Sequence, residues 1–376
     1  MIRKPGFLIA IFLLFSNSLS ASTQEIIQAL NKAHQPIGVT LIAFDVGEHN
    51  FWGLISDFMR AAAEDLNMEL EIINAQGDAY QMKRQAQKVI QRKQPPDYLV
   101  IANVKNAADD IIKTAEKNEV KVFLMNTGFN KRQKHQMGKP REKYSYWIGK
   151  LIPDDLFGGY LSAKVLIEKA LEAEATLTDE GTLQLLAISG DRTTQASKDR
   201  LKGLRHAVSQ YSNVVLKQKV HGQWSHYKAW RYTELLLEDY PHIGAIWAAN
   251  DAMALGALKA VKQTGKTPGK DIFITGIDWT QEAIEAVQTG DLVATIGGHF
   301  MDGAWVMVLL HDYHKGHDFI RTPISHQMMA LDADNIDDYL NKLDKRNWDE
   351  INFRKFSKVY NPYLSEYTFS PEYLLK

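Results

Sequence analysis

The fold class of this chain is decided by one stretch, Ala245 Ile246 Trp247 Ala248 Ala249 Asn250 Asp251 Ala252 Met253 Ala254 Leu255 Gly256 Ala257. Its apolar first half predicts a buried strand, and its second half has the apolar spacing of a helix. Either Asn250 or Asp251 could cap that helix, because a side-chain oxygen can accept a free N–H group of the first turn. Alternatively, a polar side chain at the carboxyl end of a strand lies where open α/β sheets bind ligands.

The amino terminus has the pattern of a secretory signal peptide. Basic residues Arg3 and Lys4 precede an apolar run from Phe7 to Phe15, and small polar residues follow up to Ser22. This run is shorter than the about 20 residues that a membrane span requires. We therefore predict a signal peptide over residues 1–22, export to the periplasm, and no membrane anchor.

Composition limits the class of partner. The chain has 376 residues, a net charge of −1, 24% charged residues and no cysteine. A nearly neutral chain does not offer the basic surface that nucleic acids require, and without cysteine there can be no disulfide. The length exceeds that of one compact core, which predicts two lobes. We expect a monomer without a nucleic-acid partner.

Apolar runs of strand length alternate with helical patterns in two series along the chain. This alternation favours a right-handed, doubly wound parallel sheet in each series. The predicted fold is therefore α/β, with two Rossmann-like lobes joined by a three-strand hinge and a ligand cleft between them. We assign residues 23–130 to the N-terminal lobe, completed by about 299–325, and 131–298 to the C-terminal lobe. The remainder, 326–376, is rich in aromatic residues, which predicts an extension packed on a lobe.

Polar and aromatic residues follow the carboxyl ends of most predicted strands. Amide, carboxylate and cationic groups bind hydroxyls, and flat aromatic rings contact the apolar face of a sugar. Trp224 stands between polar residues, which favours a ligand contact over burial. The candidate ligand-binding residues are His49, Asn50, Phe51, Trp52, Asn126, Lys198, Arg200, Trp224, Asn250, Asp278 and His299.

Several candidates also have a purely structural explanation. Phe51 and Trp52 begin an amphipathic helix and could belong to the core. Asp278 could cap the following helix, and Asn126 could close a turn. Lys198 lies in a charge run, which usually forms a solvent-exposed helix face. The group therefore supports a binding site more strongly than any single member does.

Segment 248–258, together with Gly276-Ile277-Asp278 and Ala294-Thr295-Ile296, resembles the type I periplasmic binding proteins of the ribose-binding and LacI-like superfamily. The resemblance covers residues 37–317, and its most specific part is the Asn-Asp-x-Met-Ala-x-Gly segment. It implies two lobes that close on a small ligand, usually a sugar. The extended tail is closer to the autoinducer-2 receptor branch, whose members report to a membrane sensor kinase.

The resemblance also implies roles for individual candidates. The three stacking aromatics that it implies are Phe51, Trp52 and Trp224. The amide and the carboxylate that bind hydroxyls are Asn250 and Asp278. The polar residue before the first two aromatics is His49 or Asn50.

The chain departs from the ribose-binding pattern at three places. The usual Asp-Arg pair after the fourth strand is Asn126-Thr127, and the expected arginine on the sixth helix is Lys198, with Arg200 two residues later. The last crossing has His299 near the position of the usual glutamine. The loss of a carboxylate and of guanidinium groups argues against ribose itself and leaves a cationic or planar ligand open.

We therefore expect a periplasmic solute-binding protein that traps a small polyhydroxylated ligand by hinge closure and delivers it to an ABC transporter. The alternative is a receptor that signals to a membrane sensor kinase. An enzyme is less favoured, because nucleotide-binding and nucleophile motifs are missing from the sequence. A metal or other cofactor is not expected, since His317 is rotated away from the helix face that His311 and His314 share. A repressor would need a DNA-binding helix pair where this chain has the predicted signal peptide.

Overall fold

Two parallel sheets organise the computed structural model, which describes residues 35–375 except 49, 174, 323 and 345–347. The predicted signal peptide, residues 1–22, lies outside the described residues. No helix in the described part of the chain has both the length and the apolar character to cross a bilayer. The first sheet has the order β2-β1-β3-β4-β5 and consists of β1 (Ile37–Ala43), β2 (Met68–Asn74), β3 (Tyr98–Ile101), β4 (Lys121–Met125) and β5 (Trp147–Leu151).

Helices follow the strands of the first sheet. The internal strand β1 is buried along nearly its whole length, as expected of a parallel strand that is covered on both faces. The following helix begins where the side chain of Asn50 accepts the backbone N–H of Gly53 at 2.9 Å. The helices are α1 (Phe51–Asp65), α2 (Ala79–Ile90), α3 (Ala108–Lys117) and α4 (Lys131–Met137).

The second sheet repeats the pattern and adds one antiparallel strand. Its order is β12-β10-β9-β8-β6-β7, and β12 runs antiparallel to β10. Its strands are β6 (Leu183–Ser189), β7 (Val214–His221), β8 (Ile243–Ala248), β9 (Phe273–Ile277), β10 (Ala294–Gly297) and β12 (Met329–Asp332). Its helices are α5 (Asp155–Glu172), α6 (Gln195–Val208), α7 (His226–Asp239), α8 (Asp251–Gln263) and α9 (Gln281–Gln288). The predicted α/β class with two parallel-sheet lobes is confirmed.

The predicted boundary between the lobes at residue 131 is corrected by β5. This strand pairs with β4 and therefore completes the first sheet. Its first residue, Trp147, is buried with its ring centroid 5.2 Å from that of Phe129. The segment before β5 contains α4, which is held by a capping box between Asn130 and Gln133. A helix of seven residues is too short to show apolar periodicity in the sequence, which explains why the predicted boundary falls before it.

Three segments cross between the lobes, at residues 152–154, 298–301 and 326–328. None of these described segments is a β-strand, so the hinge consists of two irregular crossings and one that contains a short 3₁₀ helix (His299–Met301), instead of the predicted strands. After the second crossing, α10 (Asp302–His314) returns to the first lobe, where Gly303 lies against the backbone of Ile55 in α1. The predicted return of the chain near residue 299 agrees with this arrangement.

The C-terminal extension contacts both lobes, which corrects the prediction that it packs on one. Strand β12 joins the second sheet, and the ring of Tyr339, in α11 (Ile336–Tyr339), lies 5.1 Å from that of Trp279. The ring of Trp348 lies 5.1 Å from that of Phe58 in the first lobe. Further along, β13 (Tyr367–Thr368) pairs with β11 (Ile324–Ser325), and α12 (Pro371–Leu375) ends the described chain.

Asp312 of α10 anchors the end of the extension. Its fully buried carboxylate accepts hydrogen bonds from the Ser357 hydroxyl, from the Lys358 backbone N–H at 2.6 Å and from the Tyr367 hydroxyl at 2.8 Å. Burial raises the pKa of this carboxyl, but the hydrogen bonds, including one from His311, outweigh burial and hold the pKa below its usual value. The ionised form is therefore part of the folded structure.

Asp312→Asn should lower the free energy of unfolding at pH 7 by about 2–4 kcal/mol, because charge-assisted hydrogen bonds are lost inside the core. A carboxyl with a lowered folded pKa stabilises the protein above the unfolded pKa of about 3.9, and this contribution is lost as the pH falls through the folded value. Urea unfolding at pH 7 and at decreasing pH measures both effects. Glu366→Gln, at an exposed position of the same extension, is the control. Equal stability of Asp312→Asn and the wild type at pH 7 would contradict the anchor.

Candidate functional site

A cavity of about 660 Å³ lies between the two lobes at the carboxyl ends of their strands. This volume is within the usual range for a small-molecule site, about 300–1,000 Å³. Both lobes contribute to it, for example with Phe51 from α1 and with Trp224 from the loop after β7. Most of the predicted site residues line it, namely Asn50, Phe51, Trp52, Asn126, Arg200, Trp224, Asn250 and Asp278.

Two predicted residues in the described part of the chain do not line this cavity, and a third, His49, lies outside the described residues. Lys198 is exposed on α6, because two positions along a helix rotate it by about 200°, roughly opposite to the buried Arg200. His299 is buried behind the cavity wall, with its ring centroid 4.6 Å from that of Phe51. The predicted direct ligand contacts of Lys198 and His299 are therefore corrected.

Arg200 is the centre of a buried charge cluster under the cavity. Its Nε donates to Asp155 Oδ1 at 2.8 Å, and its Nη1 donates to the carbonyl of Ala249 at 2.7 Å and lies 3.5 Å from Asp278 Oδ1. Its Nη2 lies 3.1 Å from Nε2 of His299. Burial lowers the pKa of the guanidinium, but the two carboxylates outweigh burial and raise it. Arg200 thus remains a cation and connects Asp155, the carbonyl of Ala249 and Asp278 within the second lobe.

Close packing of α5 against α6 fixes the position of Arg200. A Cβ atom on Gly159 of α5 would lie 2.1 Å from the carbonyl oxygen of Arg200. A Cβ atom on Gly203 of α6 would lie 2.1 Å from the carbonyl oxygen of Leu156. Both positions therefore require glycine, and this close approach brings Asp155, at the start of α5, within hydrogen-bonding distance of Arg200.

Asp278 enters the cavity from a strained turn after β9. Its φ is 144° and that of Trp279 is 61°, values that non-glycine residues rarely adopt. The turn is held by Trp279, whose indole N–H donates to the carbonyl of Thr295 at 3.0 Å, and by the Thr280 N–H, which donates to Asp251 Oδ2 at 2.9 Å. Strain of this kind persists only where surrounding contacts determine it, and it is frequent at binding sites.

Asn250 and Asp251 have different roles at the start of α8. Asn250 caps the helix, since its Oδ1 accepts the N–H of Met253 at 3.1 Å, and it also lines the cavity beside Asp278, whose pKa its amide helps to lower. The fully buried Asp251 supports the next turn by accepting from Thr280 and from the Thr295 hydroxyl at 2.8 Å. Both alternatives considered for Asn250, helix cap and cavity residue, are therefore met by one side chain.

Asp251 and Asp278 share unusual protonation behaviour. Burial raises the pKa of each carboxyl to about 7, and repulsion by Asp278 adds to the shift of Asp251, while Arg200 opposes the shift of Asp278. Because the folded protein holds these protons more tightly than an unfolded chain with a pKa of about 3.9, this contribution to stability falls as the pH rises from about 4 to about 7. Near neutral pH, a proton bound by the pair removes the repulsion between the two carboxylates.

The aromatic candidates form partly buried walls of the cavity. Phe51 and Trp52 meet edge to face with centroids 6.3 Å apart. The Arg200 guanidinium lies 5.8 Å from the ring of Trp224, which packs on Gly190, where a Cβ atom would lie 2.2 Å from the indole. By contrast, the side chain of Asn50 is engaged by local backbone, because its Nδ2 donates to the Asp45 carbonyl at 2.8 Å and its Oδ1 caps α1.

Lys105 of the first lobe and Asp191 of the second also line the cavity, although neither is among the predicted ligand-binding residues. Lys105 follows β3 in a left-handed conformation with φ of 45°. The turn is supported by Gln133, whose Nε2 donates to the carbonyl of Asn106 at 3.2 Å. Burial raises the pKa of Asp191, but hydrogen bonds from Thr193 and the charge of Lys105 outweigh burial and lower it. The polar residues from Asn103 onward, at the end of a strand, were the signal that could have identified Lys105.

The charges of the cavity suit an uncharged ligand. The cations are Lys105 and Arg200, and each has a carboxylate within electrostatic reach, Asp191 for Lys105 and both Asp155 and Asp278 for Arg200. The additional carboxylates Asp45 and Glu282 line the cavity as well. An anionic ligand would therefore find no unpaired cation among the described lining residues. No group of three potential metal ligands occurs in the described part of the chain.

Two lobes with a polar and aromatic cavity between them define a ligand-binding protein of the two-lobed periplasmic type. The periplasmic binding protein domain family matches residues 37–317, and this chain belongs to that family.

Individual relatives agree with this assignment. The ribose import binding protein of Escherichia coli is 31% identical over 150 residues, which are 40% of this chain and 46% of that protein, so the match spans less than half of that relative. The Haemophilus influenzae ribose import binding protein is 26% identical over 282 residues, which are 74% of this chain and 86% of that protein. A crystal structure of a periplasmic sugar-binding protein from Pseudomonas fluorescens has 30% identity and a TM-score of 0.78, and the match covers 90% of this chain and 100% of that one. These relatives are named as binding proteins and not as enzymes.

Arg200→Met should lower the free energy of unfolding at pH 7 by about 3–5 kcal/mol, because it leaves Asp155 and Asp278 buried without their cation. The difference in stability from the wild type should become smaller as the pH falls. Burial raises the pKa of both carboxyls, so protonation removes their unpaired charges. Denaturant unfolding at pH 7 and pH 5 measures this dependence. Lys198→Met, on the exposed face of the same helix, is the matched control and should leave stability nearly unchanged. A deficit that does not vary with pH would contradict the assigned role of Arg200.

Proposed function

We propose that this protein is a periplasmic solute-binding protein that binds a small, uncharged, polyhydroxylated ligand, a sugar or a sugar-like compound, and delivers it to an ABC transporter. The observation that carries the proposal is the cavity between the lobes, where aromatic walls adjoin the Arg200, Asp278 and Asn250 cluster. Fixed charged and amide groups of this kind suit ligand hydroxyls, and flat rings suit the apolar face of a sugar.

Hinge closure is the proposed mode of binding. Each lobe contributes part of the cavity, so a ligand that contacts both lobes stabilises the closed arrangement and shifts the population toward it. The proposed ligand contacts from the first lobe are Phe51, Trp52 and Asn126, with Lys105 in addition. Those from the second lobe are Arg200, Trp224, Asn250 and Asp278. Asn50 lines the same cavity and is proposed to position α1.

The relatives support the choice of ligand class. Ribose import proteins and a sugar-binding structure are similar to this chain over its two lobes. The pairing of Lys105 and Arg200 with carboxylates favours neutral sugars and polyols over sugar acids and sugar phosphates. We further propose export to the periplasm through residues 1–22 and a monomeric state.

A second candidate function is a receptor that reports ligand binding to a membrane sensor kinase, as in the autoinducer-2 branch. The extension favours it, because it lies beyond the family match at residue 317 and contacts both lobes, at Tyr339 and Trp348. Reconstituting the loaded protein with a cognate permease and measuring stimulated ATP hydrolysis separates the two functions. Ligand binding without any effect on a permease would favour the receptor.

A thermal-shift screen of the mature protein should identify the ligand class. Pentoses, hexoses, polyols, sugar acids, autoinducer-2-type furanosyl compounds and amines form the panel. A ligand that binds the folded protein at a hundredfold excess over its dissociation constant should stabilise it by about 2.7 kcal/mol. We expect the shift with a neutral sugar or polyol, and its loss in Trp224→Ala but not in Tyr227→Ala, an exposed aromatic outside the cavity. A shift with sugar acids alone would contradict the proposed ligand class.

Variants at Asn250 should separate helix capping from ligand binding. Asn250→Ala should lower stability by about 1 kcal/mol through loss of the cap, whereas Asn250→Ser should retain a capping oxygen. Both should weaken binding of the ligand found in the screen by about 1–3 kcal/mol, because both remove the amide beside Asp278. Calorimetric titration and denaturant unfolding measure the two effects. Wild-type affinity of Asn250→Ser would show that the side chain acts as a cap alone.

A further inference from the structure

A second, much smaller cavity lies at the hinge. Its volume is about 10 Å³, and it shares none of its lining residues with the cavity between the lobes. All three crossings contribute to its wall, with Asp154 from the first, His299 from the second and His326 from the third. Phe369 and Pro371 of the extension also line it. The small cavity is therefore enclosed by every segment on which the lobes turn.

The tautomer of His299 follows from its neighbour Arg200. The guanidinium Nη2 lies 3.1 Å from His299 Nε2, and an arginine can only donate hydrogen bonds, so Nε2 accepts. Burial and the adjacent Arg200 lower the pKa of this imidazole to about 3, which keeps the ring neutral. The carboxylate oxygen Oδ1 of Asp278 is more distant from Nε2, at 3.4 Å. The single ring proton of His299 is therefore on Nδ1.

Two buried polar atoms at this cavity lack a hydrogen-bond partner among the described residues. One is Nδ1 of His299, a donor in this tautomer, and the other is Oδ2 of Asp302. The side chains of these residues are only 1% and 2% exposed. The second carboxylate oxygen of Asp302 accepts from Nδ1 of His326 at 3.1 Å. Buried polar groups are seldom left unpaired, so a donor and an acceptor beside one cavity point to an occupant.

The chemistry of the cavity selects that occupant. A cation is disfavoured because the N–H group of His299 points its hydrogen away from the ring and cannot act as a ligand. An anion is disfavoured by the carboxylate of Asp302. A volume of about 10 Å³ is at the lower limit for one water molecule and excludes anything larger. We propose that the hinge cavity binds a single water molecule that accepts a hydrogen bond from His299 Nδ1 and donates one to Asp302 Oδ2.

This water connects the ligand cavity with the pivot. On one side, His299 bonds Arg200, which lines the ligand cavity. On the other side, Asp302 bonds His326 of the third crossing, and Ile152 and Asp154 of the first crossing lie close enough to raise the pKa of His326. Desolvation lowers the pKa of His326, but Asp302 and these two residues outweigh it and raise the pKa. The water thus completes a continuous set of polar contacts from Arg200 through the second crossing to the third, whatever ligand the protein binds.

The test is a crystal structure of the ligand-free mature protein, at a resolution that orders buried waters, combined with NMR of protein that contains ¹⁵N-labelled histidine. We expect one isolated density peak within hydrogen-bonding distance of His299 Nδ1 and Asp302 Oδ2. We also expect the His299 proton on Nδ1, with a cross-peak to long-lived water. An empty cavity, a peak with the coordination of an ion, or a proton on Nε2 would each overturn the proposal.

Two substitutions at Asp302 provide matched controls. Asp302→Asn keeps an oxygen that can pair with the water, so the density peak and the water cross-peak should both remain. Asp302→Leu removes the acceptor and fills the space with methyl groups, so both signals should be lost. If Asp302→Leu does not fold, the wild-type density and the protonation site of His299 decide the question alone. Retention of the water cross-peak in a folded Asp302→Leu protein would count against the site.

Discussion

The buried ion cluster of Arg200 is the interaction on which the cavity depends. The guanidinium connects Asp155 at the start of α5, the carbonyl of Ala249 after β8 and Asp278 after β9. A buried charge is tolerated only when it is paired and hydrogen-bonded, so these elements cannot separate without a large energetic cost. The same cluster leaves a carboxylate and an amide at the cavity surface. One set of contacts therefore holds the second lobe together and forms its polar binding face.

Backbone strain is concentrated at the loops that line the cavity. Asn126, Gln223, Trp224 and Asp278 all have positive φ, and they come from both lobes. Each such residue costs free energy, which other contacts must offset. At Asp278 the offset comes from the buried indole of Trp279 and from the carboxylate of Asp251. Positive φ also occurs elsewhere, for example at Asn67 and Glu119, each just after a helix, but at the cavity it places side chains at strand ends, where ligand groups need to be presented.

The sequence predicted the fold and most of the cavity lining because strand ends in parallel sheets meet at one edge. It did not predict which of two residues, two positions apart on one helix, points inward. Lys198 was therefore chosen together with Arg200. It placed the lobe boundary too early, because the pairing of β5 with β4 is a long-range contact with no local signal. Lys105 was missed for a related reason, since its position depends on a left-handed turn supported by Gln133, which is distant in sequence.

The extension changes what hinge closure requires in this protein. Tyr339 packs on Trp279 in the second lobe, and Trp348 packs on Phe58 in the first. Only eight residues separate these two contacts, so the chain between them limits how far the lobes can move apart, since a residue spans at most about 3.6 Å. At the pivot, Phe369 stacks on Trp305 with centroids 4.8 Å apart and an angle of 3°. Rotation of the lobes must either keep these aromatic contacts or break them at the expense of buried apolar area. The extension therefore belongs to the hinge mechanically, and the proposed closure must accommodate its contacts with both lobes.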